Sequence, residues 1–205
     1  KHGVAPTGSL CLPPEDNAAL YPERGERFLV RALDVAHQLG CNFLGGVTYS
    51  TLGWRSGKPP TEAELANIAK ALKPIAKRAA GYGMTLGIEP CNRYETHLLN
   101  TTAQSLAMLE RIGEANVTIH LDTYHMNIEE KNQAAAIRRA GKHLGHFHAC
   151  GCDRGTPGND HIDWKGIAAA LKAIRYQGDV VIESFTSDVK ALARAASIWR
   201  KIEPT

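Results

Sequence analysis

Short apolar segments alternate with longer amphipathic segments along the chain, and this alternation constrains the fold more than any other feature of the sequence. Apolar runs of four to eight residues are typical of buried strands, and apolar residues spaced three and four apart are typical of helices. The pattern predicts six strands with helices after them. Because parallel strands need crossover connections, such repeats favour an α/β fold with a parallel sheet and the helices outside it.

The same pattern places the predicted elements in the chain. The strands are expected at residues 4–12, 41–48, 84–89, 116–122, 143–149 and 179–183. The helices are expected at residues 26–39, 61–82, 101–112, 133–140, 163–174 and 188–199. Thr61 and Glu64 fit the capping-box pattern that begins a helix. Pro74 lies inside the apolar stripe of that helix, so we expect the helix to kink or to divide in two.

The number of predicted units leaves two folds open. A closed (β/α)8 TIM barrel needs eight units, in typically about 250 residues, whereas this chain has 205 residues and begins without methionine, close to a strand. One interpretation is an open doubly wound sheet. The other is a TIM barrel represented by about six β/α units, with the N-terminal two missing. No linker or low-complexity segment divides the sequence, so we expect one domain over residues 1–205 in either case.

Charge, hydropathy and cysteine content exclude several classes of protein. The net charge is +3, and the chain has no dense Lys/Arg run, so we expect no nucleic-acid partner. No apolar stretch approaches the ~18 residues of a membrane span, so we expect no membrane partner either. The five cysteines are an odd number and are widely spread, and no signal-peptide pattern precedes them. This favours a cytoplasmic protein with reduced thiols.

The last four predicted strands end in side chains that can ligate a metal, namely Glu89, Asp122, His148 and Glu183. Side chains alternate between the two faces of a strand. The apolar residues before these four should therefore face the outer helices, and the four should face the barrel interior. All four lie at the C-terminal ends of strands, where the active sites of barrels form.

Three carboxylates and one imidazole form an oxygen-rich ligand set. Such a set suits Mn²⁺, Mg²⁺ or Co²⁺ better than the thiolate-type ligation of structural zinc. The competing interpretation is four unrelated polar strand ends. The shared phase of the four side chains on four consecutive strands argues against it.

Four further residues follow the predicted strands in loops, where barrels place their substrate contacts. They are Trp54, Glu95, His125 and Arg154. Each also has a purely structural interpretation. The tryptophan could cover the barrel rim, the glutamate could be solvated, the histidine could cap a helix, and the arginine could lie on the surface.

Several segments together resemble the ketose 3-epimerases, the family of D-tagatose 3-epimerase and D-allulose (psicose) 3-epimerase. The matching segments are GIEPCNRYE (87–95), LDTYHMNIEE (121–130), GHFH (145–148), PG (157–158) and VIESF (181–185). The resemblance extends from about residue 4 to residue 199, and LDTYHMNIEE is its most specific part. The loop over residues 149–153 departs from the more common version of the family, which contains Gly and Glu.

The resemblance implies a (β/α)8 barrel that holds one divalent cation, with Mn²⁺ as the first expectation and Co²⁺ or Mg²⁺ as alternatives. The residues that match the metal ligands are Glu89, Asp122, His148 and Glu183, and those that match the acid/base pair are Glu89 and Glu183. The residues that match sugar contacts are Glu95, His125 and Arg154, with Trp54 and Phe185 as pocket walls. The implied partners are a small ketose and further copies of the chain, as a homodimer or homotetramer.

The expected activity is therefore metal-dependent epimerisation of a free ketose at C3, through an enediolate. A related metal-dependent sugar isomerase, of the aldose–ketose or hydroxypyruvate type, and an inosose dehydratase are the nearest alternatives. A metal-dependent endonuclease of the endonuclease IV type would need several zinc ions, more histidine ligands and a basic groove. A non-catalytic remnant is the remaining possibility.

Overall fold

A computed structural model describes residues 5–158 and 160–202 of the chain. The strands are β1 (Gly8–Cys11), β2 (Phe43–Val47), β3 (Thr85–Ile88), β4 (Val117–Asp122), β5 (Leu144–Ala149) and β6 (Val180–Ile182). The helices are α1 (Pro22–Gln38), α2 (Glu62–Gly81), α3 (Thr102–Ile112), α4 (Thr123–Glu129), α5 (Gln133–Ala140), α6 (Trp164–Ala173) and α7 (Val189–Ile202). The predicted elements are present, although the first residue of the predicted first strand, Val4, lies outside the described residues.

The strands form one sheet in the sequential order β1-β2-β3-β4-β5-β6, and every neighbouring pair is parallel. A doubly wound sheet reverses its strand order at a switch point, and this sheet has no such reversal. The prediction of a barrel-type sheet is confirmed, and the doubly wound alternative is wrong.

The sheet curls strongly, as contacts across its concave face show. The rings of Phe43 on β2 and His146 on β5 stack with centroids 4.5 Å apart, although β3 and β4 lie between them. Three strand spacings in a flat sheet would separate such side chains by about 14 Å. The concave side is therefore the interior of a partial barrel, and α1, α2, α3, α5 and α6 pack in succession outside it.

The register confirms which side chains share a face. Leu121 pairs with Phe147 and Asp122 pairs with His148 across β4 and β5. Leu121 and Phe147 are fully buried in the apolar core beneath the helices. Asp122 and His148, one residue further along, face the concave side. Alternation along the strands thus separates the apolar core from the polar interior.

Helix α2 begins as predicted but does not divide. Thr61 caps it, since the Thr61 hydroxyl accepts from the Glu64 N–H at 3.2 Å and the Glu64 carboxylate accepts from the Thr61 N–H at 2.6 Å. The helix runs unbroken through Pro74, so the alternative of two helices is wrong, and a kink at the proline stays a prediction. Leu72 and Ile75 are fully buried on either side of the proline. Tertiary packing of this apolar face supports the helix where a backbone hydrogen bond is missing.

Helix α4 was not predicted as a helix from the sequence. It begins directly after β4, and the Asp122 side chain caps it by accepting from the Tyr124 N–H at 2.6 Å. The segment therefore leaves the sheet as a helix instead of a loop. No helix in the described part of the chain has the length and apolar character of a membrane span.

Candidate active site

The four strand-end side chains meet at the C-terminal edge of the sheet. The His148 Nδ1 lies 3.7 Å from the Asp122 Oδ2 and 3.6 Å from the Glu183 Oε1. Glu89, Asp122 and His148 each offer a ligand atom, and these atoms lie within 4.8 Å of one another. Glu89, Asp122 and His148 are buried, whereas the Glu183 side chain is 32% exposed. The cluster is thus open to solvent on the β6 side.

Two buried atoms of this cluster fit a cation. The Asp122 Oδ1 accepts the α4 capping hydrogen bond, but the Asp122 Oδ2 and the His148 Nδ1 have no hydrogen-bond partner among the described residues. Buried polar atoms are almost always satisfied, and three neighbouring carboxylates repel one another. A divalent cation would satisfy both atoms and offset the negative charge, so the residues fit a metal of the predicted kind.

The four side chains shift one another's pKa values. Burial, together with the charge of Asp122, raises the pKa of Glu89 well above its ordinary value, and burial raises the pKa of Asp122 to about 6. Burial would lower the pKa of His148, but the carboxylates of Asp122 and Glu183 outweigh it and raise this pKa to about 9. The interaction with His148 lowers the pKa of Glu183 to about 2. The titration of each group is thus tied to the charge of its neighbours.

Arg154 connects the metal-ligand cluster to a second group of polar side chains. Its Nη1 donates to the Glu183 Oε2 at 3.1 Å, and its Nη2 donates to the Glu95 Oε1 at 3.0 Å. The Arg154 side chain is only 16% exposed, so these charged hydrogen bonds are poorly screened by solvent. The predicted sugar-contact residues Glu95 and Arg154 thus lie directly beside the predicted metal ligands.

His125 completes this second group. The Asn92 backbone N–H donates to the His125 Nδ1 at 3.1 Å. The other ring nitrogen, Nε2, lies 3.8 Å from both the Glu89 Oε1 and the Glu95 Oε2, and 3.4 Å from the Arg154 Nη2. Burial, with Arg154 nearby, lowers the pKa of His125 to about 3. The Nε2 edge of the ring thus faces the space between the carboxylates and the Arg154 guanidinium.

Two aromatic rings hold the Arg154 guanidinium between them. Its central carbon lies 4.0 Å from the Tyr124 ring centroid and 5.2 Å from the Phe185 ring centroid. The Phe185 N–H also donates to the Arg154 carbonyl at 3.1 Å. Phe185 is 75% exposed, so it lies at the rim of the site. Tyr124 was not predicted as a site residue, and its position next to His125 was the only signal for it.

Trp54 lies in the loop after β2, and this loop is joined to the Glu95 loop. The Gly53 N–H donates to the Glu95 carbonyl at 2.7 Å. The Trp54 indole packs edge-on against His97, with ring centroids 4.8 Å apart. The structure thus places the loop beside a predicted sugar contact, and a wall role for the indole itself stays a prediction.

A layer of aromatic and imidazole rings closes the site from below. His120 is fully buried, and its Nδ1 lies 3.6 Å from the Glu89 Oε2. Its ring meets the His148 ring edge-on at 4.1 Å and lies 6.1 Å from the Phe43 ring. Sequence reasoning missed His120, although alternation along β4 places it on the same face as Asp122. The layer separates the carboxylates from the lower end of the barrel interior.

Comparisons with known proteins agree with this fold. A family model described as xylose isomerase-like TIM barrel matches residues 1–202. The chain is 40% identical to a ketose 3-epimerase of Arthrobacter globiformis, with 98% of this chain and 72% of that protein covered. It is 38% identical to an L-ribulose 3-epimerase of Methylomonas sp. (strain DH-1), with 87% of this chain and 63% of that protein covered.

A solved structure also superimposes on nearly the whole chain. The structure of D-psicose 3-epimerase with D-tagatose from Clostridium cellulolyticum H10 matches with a TM-score of 0.91 and 28% identity, and covers 98% of this chain and 80% of that one. The chain thus spans between about two thirds and four fifths of the length of these relatives. By fold and sequence, the chain belongs to the xylose isomerase-like TIM barrel family and, within it, to the ketose 3-epimerases.

Proposed function

We propose that this chain carries the catalytic centre of a metal-dependent epimerase that inverts C3 of a free ketose. The observation that carries the proposal is the convergence of Glu89, Asp122, His148 and Glu183 in a member of the ketose 3-epimerase family. These four residues would hold one divalent cation, with Mn²⁺ expected first and Co²⁺ or Mg²⁺ as alternatives. When bound, the cation supplies Lewis-acid stabilisation for negative charge beside the sugar carbonyl.

Glu89 and Glu183 are proposed as the acid/base pair. The C3 hydrogen of a ketose is acidic because it is α to the C2 carbonyl, and its removal places negative charge on O2. One carboxylate takes this proton, and the other, in its protonated form, delivers a proton to the opposite face of C3. The two glutamates follow β3 and β6, the outer strands of the four that carry ligands, so they can flank a sugar from two sides.

His125 and Arg154 are proposed to stabilise the enediolate, and Glu95 to position the sugar. The His125 Nε2 faces the space between the carboxylates, and the Arg154 guanidinium is held by its carboxylate partners and lies against two aromatic rings. Hydrogen-bond donors that are already in position need not reorganise when negative charge develops on the substrate, so they stabilise that charge at no reorganisation cost. Trp54 and Phe185 are proposed as walls of the pocket.

The proposal extends to substrate, assembly and location. The substrate class is a small free ketose such as D-tagatose, D-fructose/D-allulose or L-ribulose. A homodimer or homotetramer is proposed from the resemblance to the ketose 3-epimerases. A cytoplasmic location is supported by the five free cysteines, since reducing compartments keep thiols free.

A proton NMR assay in D₂O tests the proposed reaction. The protein with Mn²⁺ is mixed with D-fructose, D-tagatose or L-ribulose. We expect deuterium at C3 and a new C3 epimer. Deuterium at C1 with an aldose product would instead assign an aldose–ketose isomerase, and the absence of exchange with metal bound would refute the proposal.

Substitution of Glu183 tests the two-base mechanism. Glu183→Gln removes the base but keeps the size of the side chain, so we expect loss of C3 epimerisation in a protein that still folds. Glu110→Gln, on the exposed side of α3, is the matched control and should epimerise the ketose at the wild-type rate. Wild-type epimerisation by Glu183→Gln would contradict a catalytic role for Glu183.

A further inference from the structure

Cys150 places a sulfur atom at the edge of the proposed cation site. It follows directly after β5 and comes two residues after His148, so it lies on the same face. Ala149 pairs with Ile182 across β5 and β6, and the next residues along the two strands are Cys150 and Glu183. Cys150 is fully buried.

The Cys150 backbone is fixed against the end of β4. The Cys150 N–H donates to the Thr123 hydroxyl at 2.8 Å, and this hydroxyl donates to the Cys150 carbonyl at 2.6 Å. Thr123 directly follows Asp122. The two hydrogen bonds therefore join the ends of two strands that carry proposed ligands, and they hold the Cys150 side chain beside Asp122.

The donor atoms of Asp122, Cys150 and Glu183 lie within 4.8 Å of one another. Donors that share one cation lie at most about 4.5 Å apart, given metal–oxygen distances near 2.2 Å and metal–sulfur distances near 2.3 Å. Shifts of a few tenths of an ångström would thus let all three contact one ion. Asp122 belongs to this trio and to the Glu89–Asp122–His148 trio alike. Its Oδ2 is buried and has no hydrogen-bond partner in the described residues.

A buried cysteine usually acts as a small apolar side chain. Cys150 differs because its sulfur lies within 4.8 Å of carboxylate oxygens of Asp122 and Glu183. Thiolates prefer Co²⁺ and Zn²⁺, whereas carboxylates alone suit Mn²⁺ and Mg²⁺. The sulfur would therefore change the metal that the site prefers.

We propose that Cys150 adds a thiolate donor to the cation site and shifts its preference from Mn²⁺ towards Co²⁺ or Zn²⁺. This inference rests on the cation site of the proposed function. The thiol proton is released to solvent when the sulfur binds the cation, and no electron is transferred. Cys150 would thus act as a metal-selectivity residue outside the predicted ligand set.

Equilibrium dialysis and absorption spectroscopy of the protein with Co²⁺ test the inference without an activity assay. Equilibrium dialysis reports Co²⁺ binding whatever the ligands are, and a near-ultraviolet charge-transfer band reports a sulfur–cobalt bond. We expect Co²⁺ binding and the near-ultraviolet band in the wild type. In Cys150→Ser, Co²⁺ binding should remain, the near-ultraviolet band should disappear, and the affinity for Co²⁺ relative to Mn²⁺ should fall about tenfold or more.

Matched variants make the result specific. Cys152→Ser, two residues further along the same loop, should bind Co²⁺ and keep the near-ultraviolet band, and Cys150→Ala is the second variant should the serine variant fail to fold. A near-ultraviolet band that survives the loss of Cys150 would overturn the inference. Co²⁺ binding without a near-ultraviolet band in the wild type would also overturn it and leave the proposed cation site intact. Absence of Co²⁺ binding would reject the cation site and the proposed function together.

Discussion

Arg154 has a backbone conformation that glycine adopts more readily than any other residue, and this gives a prediction about stability. Its φ is 63°, in the left-handed region where a Cβ approaches the carbonyl oxygen. The same residue holds Glu95 and Glu183 through its guanidinium. Comparing Arg154→Gly with Arg154→Ala isolates the backbone, because both variants lose the same charged hydrogen bonds.

The structure sets the expected magnitude. A left-handed L-residue costs about 1–2 kcal/mol, and this cost is absent in glycine. Glycine loses roughly 0.5–1 kcal/mol relative to alanine because its unfolded chain is more flexible. The free energy of unfolding of Arg154→Gly should therefore exceed that of Arg154→Ala by about 0.5–1 kcal/mol. Both should lie below the wild type by about 1–3 kcal/mol, the usual cost of lost charged hydrogen bonds.

Urea denaturation of the variants measures this order. Arg175 provides the matched control, because it has φ 54° and is exposed in the turn after α6. Arg175→Gly should likewise be more stable than Arg175→Ala. Ala173 lies in the last turn of α6, where the backbone is helical, so Ala173→Gly should lower the free energy of unfolding by about 1 kcal/mol. If Arg154→Ala is as stable as Arg154→Gly while both controls behave as expected, the argument from backbone strain is wrong.

Three further stability changes follow from the packing, each measured by urea denaturation. The free energy of unfolding of Gly87→Ala should fall by about 1–3 kcal/mol because the added Cβ would overlap the Phe43 ring. Adding Phe43→Leu to this variant should restore part of the loss. Unchanged stability of Gly87→Ala alone would contradict the close packing. Thr61→Ala should lose about 1 kcal/mol because the α2 cap is removed, and equal stability would show that the cap contributes nothing. The free energy of unfolding of Pro74→Ala should rise by about 2 kcal/mol because the α2 backbone regains a hydrogen-bond donor. A loss of stability in this variant would show that the proline does not weaken α2.

The strand-end residues were predictable because alternation is a property of the extended backbone. Once β4 and β5 are recognised, Asp122 and His148 must share a face with each other and oppose Leu121 and Phe147. No knowledge of loops is needed for this step. The same rule predicts the position of His120, because this residue precedes Asp122 by two positions on β4 and therefore shares its face.

The loop residues were less predictable because their positions depend on local conformation. Asn92 orients His125 through a backbone N–H, and no side-chain pattern in the sequence reports such a bond. Arg154 reaches both of its carboxylate partners from a left-handed backbone position that sequence spacing does not indicate. Tyr124 meets Arg154 only because α4 begins immediately after β4.

Asp122 shows why the unpredicted helix matters for the site. One carboxylate oxygen accepts the capping hydrogen bond of α4, and the other faces His148 at 3.7 Å. The cap fixes the orientation of the side chain, so the second oxygen is directed into the cluster before any cation binds. Thr123, the first residue of α4, holds Cys150 in the same way from the neighbouring strand. The start of one short helix therefore positions donors from two strands, and a site held in this way loses little conformational entropy when a ligand binds.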